Sequence, residues 1–347
     1  MKSERCLNCQ SFSEGGMIKD KIKEMKFIKM PVTVVLVVVL TAGKIFSQAT
    51  DTAHLESEAL KIVVANNELY GKVHKAGYSG ISELYIKTGD EKNFFVPFYA
   101  GLNYEHIFSG DSGSYKWNMF EPRIASMELV RLSDKKVELR QPHSENWPLK
   151  SVISYELTGN SVDFVFTGTP LQDIWNKHGY IGIFFASYIN APAEKGIHFI
   201  GKKIAAKTNS KAEWIYNLPA EHGKNANHWP SGSNWSPGLD SSGFPISLVA
   251  GLSDFEYVYP FYYGLSGENV FIMMFNKTGK DGQINFAQSP DGGGTNNPAW
   301  DFIYYQKNYK VGKDFSFRAH AVFKKFEGRE DVIKVYESWS GKKVIKP

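Results

Sequence analysis

Between Trp214 and Trp235 the chain places two imidazoles (His222 and His228), one carboxylate (Glu221) and three indoles (Trp214, Trp229 and Trp235). Imidazole is the side chain best matched to proton transfer near neutral pH. Indole faces stack on flat or apolar ligand surfaces, the C–H faces of sugars among them. The combination points to a sugar site in which His222 and His228 move protons while Trp229 and Trp235 hold the ligand. The plainer alternative is that the tryptophans pin a long loop to a sheet and the histidines are solvated. Gly223, Asn225, Asn227 and Pro230 argue against a helix here, so a helical His-x-x-x-His metal site is not expected, nor is any cofactor.

A second cluster runs from Pro97 to Asp111 and contains Glu105 and His106, both candidate acid/base groups. They are adjacent, and in an extended backbone neighbours point to opposite faces, so only one is expected to enter a shared site. Arg123 follows in an irregular stretch, with Tyr115, Trp117 and Glu121, and is a candidate for recognising a substrate carboxylate or hydroxyl. A third stretch, Ser289 to Tyr305, is a polar glycine loop running into an aromatic strand. Gly292 to Gly294 permit positive φ and close approach of the backbone, and Asn297-Pro298 ends the loop in extended geometry. Trp300, Phe302 and Tyr304 then share one face, Asp301, Ile303 and Tyr305 the other. A carboxylate in an aromatic strand is costly to bury unless hydrogen-bonded, so Asp301 either has a partner or faces a wet cleft. This stretch reads as a binding rim carrying Asn297 and either Trp300 or Asp301, with catalysis assigned to the Glu213 to Gly243 loop across from it.

The elements that must position these residues are strands. Short apolar runs separated by turn signals recur from Leu60 to Phe323, among them Lys150 to Leu157, Ser161 to Gly168, Ile246 to Leu252, Gln283 to Gln288 and Trp300 to Tyr305. That spacing predicts an all-β fold, a large antiparallel sandwich, and the aromatic content of 14% suits it. One helix is expected, over Arg329 to Ser340, where Val332, Val335, Tyr336 and Trp339 form a stripe suited to capping the sandwich edge. No composition break divides residues 55–347, which are read as a single domain. Neither a nucleophile elbow, nor a phosphate-cradling Gly-x-x-x-x-Gly-Lys loop, nor a dinucleotide-binding glycine motif is found.

Residues 1–49 read as an export signal with a possible mis-assigned start: a basic Met25 to Lys29, an apolar Pro31 to Ala42, and small residues at Ser47 to Ala49. The apolar run is shorter than the roughly 18 to 20 residues of a bilayer span, so no integral span is expected after cleavage. The protein is expected in a periplasm or outside the cell. Cys6 and Cys9 both precede the cleavage point, which leaves no thiol or disulfide in the mature chain. The formal charge of +4 arises in this segment too, leaving the remainder with 32 bases against 32 acids. Nucleic acid is therefore not an expected partner.

The opening pattern Leu60 to Ile86, the following Gly101-Leu-Asn-Tyr-Glu-His106 and the long antiparallel series resemble the galactose mutarotase-like superfamily, at the level of fold. That resemblance implies a β-supersandwich with a sugar cleft. The superfamily's aldose epimerases use two histidines and a glutamate around the anomeric centre. Asn227-His228-Trp229 is similar to the surroundings of one epimerase histidine, and His106 lies where the other is usually found. No glutamate in the last third matches the epimerase base. Relatives on similar sandwiches include lyases, in which a His or Tyr takes the proton next to a uronate carboxylate; His222, His228 and Arg123 are the candidates for that chemistry here. The function expected is an exported carbohydrate-active enzyme of epimerase or lyase type. The alternative is a noncatalytic glycan-binding protein with Trp229, Trp235 and Trp300 as a stacking platform.

Overall fold

The computed structural model describes residues 51–68, 77–88, 92–115, 119–204 and 211–347. The expected export signal and the Cys6/Cys9 pair lie outside the described residues. Among the described residues the strands form three antiparallel sheets, of ten, five and three strands. The five-stranded sheet runs in the order Asn227–His228, Gly282–Ser289, Ala299–Lys307, Tyr180–Ala186, Asn103–Phe108. The centre of the ten-stranded sheet is Asn269–Phe275, Phe315–Lys325, Ser161–Pro170 and Leu149–Thr158. This is the all-β antiparallel sandwich expected from the strand spacing.

Period-two alternation decides which residues fill it. In Leu149–Thr158 every second side chain is buried, and Ile153, Tyr155 and Leu157 meet Phe164 and Phe166 of the next strand in one core. The five-stranded sheet supplies the opposite wall: Phe185 stacks on Phe302 at 5.2 Å, and Phe302 meets Phe164 edge-on at 6.1 Å. Its other face is buried as well, since Phe184, Ala287, Ile303 and Tyr305 pack beneath Tyr99, Trp235 and Phe244. Tyr180–Ala186 is therefore buried at every position, and a continuous apolar run is what such a two-sided strand requires.

The helix occupies Arg329–Ser340, as the stripe predicted. It lies on the outer face of the ten-stranded sheet rather than at an edge, because Val332, Ile333 and Tyr336 pack with Ile200, Phe261 and Ile272. Three further local expectations are corrected. Glu213–Asn217, taken as the start of a strandless loop, pairs antiparallel with Ile197–Lys203. Ile246 to Leu252, taken as a strand, instead makes one helical turn at Ser247–Ala250, closed by the Gly251 N–H on the Ser247 carbonyl at 2.8 Å. Asn103–Phe108 is a strand, buried throughout, within the Pro97 to Asp111 cluster, which the expected strand series did not include.

Candidate functional site

A cavity of about 270 Å³ opens on the outer face of the five-stranded sheet. It gathers five of the sequence-derived candidates, Glu105, His106, Arg123, His222 and Asp301, together with Tyr188. The volume is close to the lower end of the ~300–1,000 Å³ usual for small-molecule pockets.

Adjacent Glu105 and His106 both reach it because the strand is bulged. Tyr104 pairs with Phe185 and His106 with Phe184, so Glu105 is the extra residue in the ladder. Tyr104 and Ile107 face the inner core, while Phe108 faces outward with Phe184. The two functional residues are thus inserted between inward neighbours, and the expectation that only one could enter is overturned.

Glu105 is almost fully buried yet richly supplied with donors. Its Oε2 accepts from Asn103 Nδ2 at 2.9 Å and from the Tyr188 hydroxyl at 2.5 Å, with Arg123 Nη1 at 3.9 Å. Its Oε1 faces His106 Nε2 at 3.4 Å. Burial pushes this carboxyl up, but the His106 bond, the His106 and Arg123 charges and the Tyr188 bond outweigh it and hold the pKa at about 2. His106 Nδ1 donates to the Met119 carbonyl at 2.6 Å, which fixes the ring and turns Nε2 toward the carboxylate. Arg123 sits at the end of the turn Glu121–Arg123, its Nε on the Gly77 carbonyl at 3.0 Å and its guanidinium 3.7 Å from the Tyr78 ring centre. It serves Glu105 before it serves any ligand.

Asp301 has the opposite surroundings. It points outward from Ala299–Lys307, as the alternation predicted, and is 1% exposed. Oδ1 accepts the Ser187 N–H at 2.9 Å, whereas Oδ2 has no hydrogen-bond partner among the described residues. Burial, beyond what the Ser187 bond offsets and with the Glu105 charge adding to it, drives this carboxyl well above the usual carboxylate range. One cavity therefore holds two carboxyl groups whose surroundings push their pKa values in opposite directions, Glu105 down and Asp301 up.

His222 stands exposed at the rim. Ser289 Oγ donates to Asp291 Oδ1 at 3.1 Å, so the 2.9 Å contact between Ser289 Oγ and His222 Nδ1 must carry its proton on the imidazole. Nε2 of the neutral ring is then the unprotonated, basic nitrogen. The glycine loop and the histidine loop thus meet, as their pairing required. Close backbone packing sets the position: Gly223 has φ +77°, and a Cβ on Gly251 would stand 1.9 Å from the Gly223 carbonyl oxygen.

The remaining candidates are elsewhere. His228 is wholly buried, donating from Nδ1 to the Phe255 carbonyl at 3.3 Å and accepting at Nε2 from Gln288 at 3.1 Å and Asn217 at 3.4 Å. Desolvation lowers its pKa to about 3, so it is a neutral core histidine and not a proton carrier at the cavity. Trp300 is also wholly buried, on the inner face, its Nε1 donating to the Lys195 carbonyl at 2.9 Å. Trp235 packs edge-on against Tyr180 and Tyr305 over the outer cluster, and Trp229 is half-buried; none of the three indoles lines the cavity. Asn297 is spent within the glycine loop, donating to the Gly293 carbonyl at 3.0 Å and accepting the Ala191 N–H at 2.9 Å. Gly294 has φ +107°, the one position of the three glycines in the left-handed half of the map. Sequence reading missed Tyr188, Asn103 and Ser289. Tyr188 follows an apolar strand, and nothing in its local pattern sets it apart from a core tyrosine. Among the described residues no group of three His, Asp or Glu side chains is placed to hold a metal ion, and no helix is long and apolar enough to cross a membrane.

Fold and site together define a β-sandwich protein with a cavity lined by titratable side chains on the outer face of its five-stranded sheet. No protein-family model matches the chain, and neither does any curated protein. Solved structures similar to it include a galactose mutarotase-like protein from Lactobacillus casei (9% identity over 79% of this chain and 100% of that one, TM-score 0.42). An alpha-N-acetylgalactosaminidase from Bifidobacterium bifidum is similar over 83% of this chain and 38% of its own, at 10% identity and TM-score 0.44. A heparan sulfate lyase from Pedobacter heparinus is similar over 80% of this chain and 35% of its own, at 10% identity and TM-score 0.39. The resemblance is one of fold alone.

Proposed function

We propose that the protein is an exported carbohydrate-active enzyme of epimerase or lyase type, with His222 Nε2 as the base and the Glu105–His106–Arg123–Tyr188 group as the fixed electrostatic wall of the sugar cavity. The observation that carries this reading is the convergence of Glu105, Asp301 and two imidazoles, each held by a hydrogen bond at Nδ1, on one cavity. In both reaction types a base removes a proton from the sugar while an oxygen leaves carbon: from a hydroxyl in ring opening, from carbon next to a carboxylate in elimination. The hydrogen bond from His222 Nδ1 to Ser289 and the position of the ring on the rim support this role. His106 has both ring nitrogens engaged, on Met119 and Glu105, and belongs to the wall. The stacking-platform alternative loses its support, because Trp300 is in the inner core.

The test is a panel of sugars, glycans and uronate polymers with the mature protein, followed by ultraviolet absorbance for unsaturated products, by reducing ends and by anomeric NMR exchange. His222→Ala is expected to lower turnover ~10²–10⁴-fold, the usual worth of a general base, with the fold intact. Full turnover in His222→Ala would sink the assignment.

A further inference from the structure

We propose that Asp301 is a catalytic acid that gives its carboxyl proton to the sugar oxygen leaving carbon, as His222 takes a proton from the sugar. This inference rests on the reading above and adds the second half of the proton transfer. Its basis is the unequal treatment of two carboxyl groups in one cavity. Glu105 receives donors on both oxygens, from Asn103, Tyr188 and His106, with Arg123 alongside. Asp301 receives one backbone N–H on Oδ1, and Oδ2 is left buried without a partner among the described residues. An ionised carboxylate offers about four lone-pair sites and is not left in that state inside a protein, whereas a protonated one needs only an acceptor for its single O–H. A ligand oxygen in the cavity that Asp301 lines would be that acceptor.

A purely structural role does not explain the residue. Holding the Ser187 N–H requires one acceptor oxygen, which an asparagine amide supplies without the cost of a buried acid. Burial and the nearby Glu105 charge both favour retention of the proton at neutral pH. His222 Nε2 takes a proton from the sugar, the C–O bond breaks with its electron pair passing to oxygen, and that oxygen takes the Asp301 proton. Imidazolium and carboxylate are left, and solvent or the reverse transfer resets both.

The experiment compares wild type, Asp301→Asn and His222→Ala, each checked for its melting transition. In Asp301→Asn turnover is expected to fall ~10²-fold or more, with KM little changed. The fall of kcat at high pH, where the acid would lose its proton, disappears. The infrared difference spectrum between wild type and Asp301→Asn at neutral pH is expected to contain the C=O band of a protonated carboxyl group. Full turnover with an unchanged pH profile in Asp301→Asn, or a spectrum without that band, overturns the proposal. Loss in His222→Ala beside full turnover in Asp301→Asn refutes the acid while leaving the site reading in place. A wild type that turns over no sugar refutes the reading on which both rest.

Discussion

His228 makes the distinction between a core histidine and a catalytic one measurable. Burial lowers its pKa from the ordinary value of 6.5 to about 3. The unfolded chain therefore binds a proton between those two values that the folded protein does not accept, and stability falls as pH drops through that window. The sign follows from the depressed folded value: the contribution is fully present above the unfolded pKa and is lost toward the folded one. Each pKa unit is worth about 1.4 kcal/mol, so the whole window amounts to about 5 kcal/mol, and about 2 kcal/mol of it is lost between neutrality and about pH 5. His228→Gln keeps a donor for the Phe255 carbonyl and cannot charge. Urea unfolding at both pH values should show the wild type losing about 2 kcal/mol more than the variant on acidification. Equal losses in the two proteins would refute the buried neutral state.

The other two outcomes concern the site itself. Glu105 is held at about 2 against an ordinary value of 4.5, so its contribution is present above the unfolded value and lost as pH falls through the folded one. Glu105→Gln should be less stable than wild type by up to about 3 kcal/mol at neutral pH, and the gap should close on acidification toward about pH 2; denaturant titration at the two pH values checks this. Gly251→Ala places a methyl group against the Gly223 carbonyl, beside His222. It should cost about 1–3 kcal/mol and lower turnover together, and a melting transition and rate equal to wild type would show that the His222 segment yields freely.

How far the sequence carries the reader depends on whether period two is kept. Trp300 and Asp301 occur in an unbroken alternation, so their opposite faces were legible, and the structure gives the cavity to Asp301. Glu105 and His106 were misjudged because one extra residue breaks the alternation, and nothing in the letters Asn-Tyr-Glu-His-Ile-Phe marks where it sits. His222 and His228 looked equivalent because both occur in a polar, tryptophan-rich loop. What separates them is the two-residue strand Asn227–His228 and its pairing with Gly282–Ser289, a long-range contact that local composition does not encode. The same limit hid Tyr188 and Ser289, whose roles exist only through partners far away in the chain.

The bulge has one more consequence. Deleting Glu105 alone would leave Tyr104 inward, His106 outward, Ile107 inward and Phe108 outward, which is the ordinary order of a strand. The scaffold therefore treats the charged group as a one-residue insertion. A single codon separates a sandwich that holds an ionised carboxylate at its cavity from one with the same core faces and none, so a fold of this kind can acquire or shed such a group without repacking its interior.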